Sequence, residues 1–216
     1  MTEKNNPEVK KRAGKIRAIL KKTYPDAHCL LNHKNALEIL VATILAAQCT
    51  DARVNMTTPA LFKKFRTAAD YTGAPRAGLE KMIKSCGFFR NKAKAIRNCC
   101  AAIAGEYRGV VPDTMEELTA LPGIGRKSAN LILSCAYDKP GIIVDTHVRR
   151  LSNRLYFSTE SNPDKIEKDL MSLFPRSDWE KINSTLVWHG RRVCSARKPV
   201  CGRCPVREMC PSAVSY

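Results

Sequence analysis

The sequence is short of long apolar runs, of strand-like segments and of acidic residues. No stretch reaches the ~20 apolar residues of a transmembrane helix. The first residues, MTEKNNPEVKKR, lack the apolar core of a secretory signal. Neither a membrane partner nor export is therefore expected. Only Ile142-Ile143-Val144 reads as strand-like, and three residues cannot build a sheet. Sequence repeats and low-complexity linkers are also missing. Acids are scarce: 20 Asp plus Glu stand against 37 Lys plus Arg, a formal net charge of +17 over 216 residues. That excess does not choose a fold, but it predicts attraction to polyanions, with nucleic acid ahead of an anionic membrane surface.

What the sequence does have is helical patterning. Asn6-Pro7 reads as a cap and first-turn pair, followed by Val9, Ala13, Ile16 and Leu20 at helical spacing. Asn35 with Glu38 forms a capping-box pattern before ALEILVATILAAQ, which is apolar nearly all round and so predicts a buried central helix. Further helices are expected near 57–67, 76–85, 90–107, 163–174 and 177–190, the last behind a Ser177/Glu180 box. The chain reads as all-α, with about ten helices and short loops.

The ten cysteines fall into two groups. Cys29, Cys49, Cys86, Cys99, Cys100 and Cys135 are scattered, mostly among apolar residues, and read as buried free thiols. Cys194, Cys201, Cys204 and Cys210 crowd together as C-x6-C-x2-C-x5-C, with Pro199, Pro205 and Pro211 between and after them. Without a secretory signal, such a cluster points to a metal site rather than a disulfide framework. Four thiolates suit zinc or an iron–sulfur cluster, and spacing alone leaves the choice open. Arg197 and Lys198 lie between the first two ligands, with Arg191, Arg192, Arg203 and Arg207 nearby, so the metal would staple a basic loop.

The most informative stretch is LPGIGRKSAN, residues 121–130. Upstream, an Asp113/Glu116 capping box and Met115, Leu118 and Leu121 predict a short helix. Downstream, Ala129, Ile132, Leu133 and Ala136 predict a second helix, starting near Gly125. The unit is helix, Gly-Ile-Gly hairpin, helix. Ile124 plugs the gap between the helices, Gly123 and Gly125 permit unusual angles and close approach of another backbone, and the amides opening the second helix suit a phosphate. In a basic chain this predicts a hairpin that grips the DNA backbone without reading sequence.

With these motifs and VDTH at 144–147, the chain resembles the helix-hairpin-helix DNA glycosylases, and among them most resembles the endonuclease III group. The resemblance runs from YPDAH at 24–28 through LAAQCTD at 45–51 and RNKA at 90–93 to the terminal cysteines. It implies a six-helix domain, residues 29–139, holding the hairpin, and an iron–sulfur cluster domain made of residues 1–28 and 140–216. It further implies an active site in the cleft between them, and a [4Fe-4S] cluster on the four cysteines. By spacing alone Lys127 reads as a phosphate-binding lysine and Asp145 as a helix cap. The resemblance implies that Lys127 attacks C1′ of the damaged nucleotide and that the Asp145 carboxylate stabilises charge on the sugar. It places Gln48 as the polar filler of the hole left by the everted base and Asp51 near the pocket, where helix capping is the simpler role. Phe88 falls at a wedge position more often held by leucine; a core aromatic is the alternative. Leu121, Gly123, Ile124, Gly125, Arg126, Arg197 and Lys198 complete the expected DNA-binding set. The implied activity is that of a bifunctional DNA glycosylase and abasic-site lyase acting on oxidised pyrimidines in double-stranded DNA, or on abasic sites. The protein would be a monomer, cytoplasmic and nucleoid-associated in the bacterial manner. Two rivals differ at single features. A monofunctional mismatch or uracil glycosylase would carry another residue where Lys127 stands, and a non-enzymatic hairpin module would need neither Asp145 nor the cysteine loop.

Overall fold

In the computed structural model, which describes residues 7–213, every regular element is helical. The α-helices are α1 (Pro7–Thr23), α2 (Ala36–Ala46), α3 (Asp51–Lys64), α4 (Ala68–Gly73), α5 (Arg76–Ile83), α6 (Phe89–Glu106), α7 (Met115–Ala120), α8 (Arg126–Ala136), α9 (Thr146–Arg154), α10 (Pro163–Leu173) and α11 (Trp179–Arg192). Short 3-10 turns occupy Lys84–Cys86, Arg176–Asp178, Cys201–Arg203 and Arg207–Met209. No helix among the described residues is long and apolar enough to cross a membrane. The 142–144 run is not a strand; it ends in a turn where the Asp145 amide donates to the Ile143 carbonyl at 3.1 Å.

The chain divides into two compact units, Cys29–Lys139 and Met1–His28 with Pro140–Tyr216. In the first, α2 is the central helix and packs against α3, α6 and α8. Ile39, Leu40 and Leu45 are wholly buried there, each contributing roughly 1.5–3 kcal/mol relative to an exposed side chain. In the second, α11 packs against α1 and α9, and α9 against α10. Ile16, Leu20, Val148, Leu151, Ile166 and Leu186 form its separate core.

Helix starts moved where a cation or a better hydroxyl competed for the expected cap. Pro7 opens α1, while Asn6 lies outside the described residues. Asn35 does cap α2, accepting from the Glu38 amide at 2.9 Å, but the Glu38 carboxylate returns to the Lys34 amide, one residue earlier than a capping box requires. The Asp113/Glu116 box does not form: Thr114 caps α7, accepting from the Glu117 amide, and Asp113 pairs with Lys139 at 2.6 Å. The Ser177/Glu180 box also fails. Residues 176–178 wind as a 3-10 turn, and Asp178, just before α11, pairs with Arg17 and Lys21 instead of capping. Helix α3 starts six residues before the expected 57, because Pro59 reads as a first-turn proline yet sits inside the helix. Helix α4 was legible but not anticipated: Thr67 and Asp70 make a complete capping box.

Candidate active site and cluster loop

In the Cys29–Lys139 unit, the hairpin joins α7 to α8. Leu121 closes α7, and the Ile124 amide donates to the Leu121 carbonyl at 3.1 Å. Gly123 sits at φ +84°, and a Cβ there would stand 3.4 Å from the Ala95 Cβ. The chain's own geometry therefore asks for glycine at 123. Gly125 differs: its backbone is extended (φ −95°, ψ 174°) and a Cβ would meet nothing within 4 Å. Nothing internal requires glycine at 125. Helix α8 opens behind it with no side-chain cap and no acid in its first turn, leaving the positive end of its dipole beside Arg126 and Lys127, both exposed. Leu121 and Ile124 were expected in the DNA-binding set, but their side chains lie in the core of this unit. Any part they take in binding must run through backbone or through support of the turn.

Two loops of the same unit hold Gln48 and Phe88. Gln48 follows α2 at φ +53°, and Phe88 precedes α6 at φ +45°; both side chains are exposed, Phe88 by 63%. The core-aromatic alternative for Phe88 is thereby excluded. Non-glycine residues in the left-handed region are strained and persist only where the surroundings fix them. Asp51 is half-buried at the first position of α3, and the cap expected of it is made by Thr50, which accepts from the Arg53 amide at 3.3 Å. Lys92, in RNKA, was missed. It is only 5% exposed, and its Nζ donates to the carbonyls of Leu45 and Cys86, each at 2.8 Å. Sequence offered no signal, since a lysine in an amphipathic helix reads as solvated.

The scattered thiols divide by depth. Cys86, Cys99 and Cys100 are buried; Cys29, Cys49 and Cys135 are half-buried. Burial pushes Cys99 and Cys100 up to about 12. Cys29 goes the other way, to about 7, first because Cys135 hydrogen-bonds to it and despite its own burial.

In the other unit, Asp145 caps α9. Its Oδ1 accepts from the amides of His147 and Val148, both at 2.8 Å. Its second oxygen accepts no hydrogen bond among the described residues. The carboxylate is thus anchored by one oxygen, with the other available for chemistry.

The four clustered cysteines line one cavity of about 360 Å³, whose remaining walls include Leu155, Val193, Pro199, Val200 and Val206. Burial pushes the Cys204 thiol up, and Cys194, Cys210 and Cys201 push it the same way against a backbone hydrogen bond from Val206. Cys210 is likewise raised, first by burial and then by Cys194 and Cys201. Four thiols that repel one another's charge around an apolar cavity call for a polynuclear cation, which offsets that repulsion and holds them as thiolates. The donor set fits an iron–sulfur cluster. Two arginines of α9, not anticipated as site residues, fasten the loop. Arg154 donates to Cys194 Sγ (3.2 Å) and to the carbonyls of Ser195 (2.7 Å) and Ala196 (2.8 Å). Arg150 reaches the carbonyls of Gly190 (3.0 Å) and Cys194 (2.9 Å). Their i, i+4 spacing places them on one side of α9, but no sequence pattern links them to a loop forty residues on. Arg197 and Lys198 are exposed at the loop surface, where the Lys198 carbonyl accepts from the Ser195 hydroxyl at 2.5 Å.

Residues 41–176 match the model of the HhH-GPD superfamily of base excision DNA repair proteins. Residues 194–210 match the iron-sulfur binding domain of endonuclease III. The chain is 50% identical over 205 residues to an endonuclease III of Synechocystis sp., covering 94% of each chain. Among solved structures it is similar to a non-covalent endonuclease III–DNA complex, with TM-score 0.90, 42% identity, and 94% of this chain and 96% of that one covered. It is also similar to a trapped endonuclease III–DNA covalent intermediate, with TM-score 0.87, 43% identity, and 93% and 96% covered.

Proposed function

The chain belongs to the HhH-GPD superfamily of base excision DNA repair proteins, and we propose that it removes oxidised pyrimidines from duplex DNA and then cuts the strand 3′ to the site through Lys127. The activity is that of a bifunctional DNA glycosylase and abasic-site lyase, and the cofactor is a [4Fe-4S] cluster. The observation that carries the Lys127 assignment is its place: an exposed amine in the first turn of an uncapped helix, directly behind the hairpin.

In this reading Gly125 leaves room for a phosphate against the opening amides of α8, and Arg126 adds charge. The target nucleotide leaves the stack, and Gln48 and Phe88 enter the space it vacates. Lys127 Nζ then bonds to C1′ as the base departs with the glycosidic electron pair. The free oxygen of Asp145 stabilises the positive charge that develops on the sugar. The sugar ring opens to a Schiff base, loss of a C2′ proton expels the 3′ phosphate, and water releases the lysine. The unit Cys29–Lys139 supplies the grip and the nucleophile. The other supplies the carboxylate and the cluster loop. Cys194, Cys201, Cys204 and Cys210 would hold the cluster, which when bound supplies iron–thiolate cross-links in place of a hydrophobic core. Arg197 and Lys198 are then presented to the DNA backbone. The protein works as a monomer at the nucleoid.

A panel of duplexes, each with one defined lesion and scored separately for base release and strand cleavage, tests this. Oxidised pyrimidines should be released with coupled 3′ cleavage. Release of uracil or a mismatched base alone, without cleavage, would instead favour the monofunctional reading.

A further inference from the structure

The mechanism above leaves one buried ion unused. The Lys92 ammonium is taken out of water in the Cys29–Lys139 unit, and no salt bridge to it occurs among the described residues. A buried charge without a counter-ion is unfavourable unless its hydrogen bonds are good. Here the bonds go to two carbonyls with little else to satisfy them. Leu45 lies in the last turn of α2, and Cys86 ends the 84–86 turn; terminal carbonyls of helices lack intrahelical donors and carry the negative end of the dipole. Both bonds end on one nitrogen, so the two carbonyl oxygens lie no farther apart than the two 2.8 Å bonds laid end to end.

These two carbonyls are not arbitrary. Gln48 stands three residues after Leu45, and Phe88 two residues after Cys86. Both are exposed and both are held at positive φ, with Gly87 beside Phe88 at +69°. Such backbone relaxes unless something rigid holds it. The Lys92 main chain adds a further tie, its amide donating to the Phe88 carbonyl at 3.0 Å.

We propose that Lys92 is a positioning residue: its buried ammonium welds the end of α2 to the end of the 84–86 turn and so sets the spacing of Gln48 and Phe88 when they enter the gap left by an everted nucleotide. The proposal rests on the filler reading of those two side chains. It adds a specificity determinant that touches neither base nor sugar. Met at this position keeps the length of the side chain and removes the donors; Arg keeps the charge and displaces the donors.

The test is a double-mutant cycle. Affinity is measured for a duplex carrying a tetrahydrofuran abasic-site analogue and for the same duplex undamaged, in the wild-type background and in Gln48→Ala/Phe88→Ala. Undamaged duplex reports the hairpin grip and serves as the folding control. Lys92→Met should lower the lesion-over-undamaged preference roughly tenfold to a hundredfold, the scale of a filler misplaced by about 1 Å. It should leave undamaged affinity within about twofold and have no further effect in the Gln48→Ala/Phe88→Ala background. Lys92→Arg should give a smaller loss with the same background dependence, which keeps the proposal testable if the Met variant is poorly folded. Equal losses in both backgrounds, or no loss in either, would overturn the proposal while leaving the filler reading intact. Wild-type lesion preference in Gln48→Ala/Phe88→Ala would overturn the filler reading and this proposal with it.

Discussion

Alanine at the two hairpin glycines should have opposite effects on stability and on DNA binding. At Gly123 the left-handed backbone costs an L-residue about 1–2 kcal/mol. The reduced freedom of the unfolded chain returns about 0.4–1 kcal/mol. The Ala95 Cβ at 3.4 Å leaves no compensating space. Gly123→Ala should therefore lose about 1 kcal/mol, a fall in Tm of roughly 2–4 °C for a chain of this size. At Gly125 the extended backbone suits alanine and a Cβ meets nothing, so Gly125→Ala should gain about 0.4–1 kcal/mol. Its methyl group would project into the space proposed for the phosphate. Losing one charge-assisted hydrogen bond there removes about 1.5–3 kcal/mol, or roughly tenfold to hundredfold in Kd. The slope of log K against log salt should fall by about 0.9 for each phosphate that the protein no longer neutralises. Thermal melts and undamaged-duplex binding at several salt concentrations read both quantities. A Gly125→Ala protein that is more stable and binds as tightly as wild type would refute the phosphate grip.

Other perturbations separate core, loop and thiol chemistry. Ile124→Ala, at a buried position, should destabilise by about 2–5 kcal/mol, checked by chemical denaturation; a loss below about 1 kcal/mol would mean the side chain is not packed as described. Arg154→Met removes donors from Cys194 Sγ and from the Ser195 and Ala196 carbonyls, so iron should leave faster under chelator, with visible absorbance as the readout and an unchanged rate as the contrary result. Cys29 alkylation should show a midpoint near pH 7, and Cys135→Ala should move it upward, because the hydrogen bond that favours the thiolate is gone; peptide mass spectrometry follows it, and an unmoved midpoint would remove Cys135 as the cause.

How far the sequence could be read depended on the range of the interactions. The central helix α2, the hairpin flanks and the stop at Pro25 were legible because periodicity, proline and glycine act locally. Asp145 as a cap was legible for the same reason. Cap positions slipped at Asp113 and Asp178 because Lys139, Arg17 and Lys21 drew the acids away, and no local pattern announces a distant cation. Gln48 and Phe88 were found through motif resemblance, yet their shared left-handed backbone and the lysine between them belong to the packing of α2 against α6. The arginines of α9 escaped notice because they act on carbonyls, which every residue has. Leu121 and Ile124 were placed at the DNA although they are core, since a conspicuous motif mixes residues that touch a ligand with residues that hold the turn.

The central claim is that the Lys127 amine is the nucleophile. Borohydride reduction of the protein with duplex containing an abasic site or an oxidised pyrimidine should trap a covalent adduct, mapped by peptide to Lys127 and not to the N-terminal amine. Lys127→Gln should abolish trapping and strand cleavage with undamaged-duplex affinity nearly intact, since the hairpin amides remain. An adduct persisting at wild-type yield in Lys127→Gln would contradict the account.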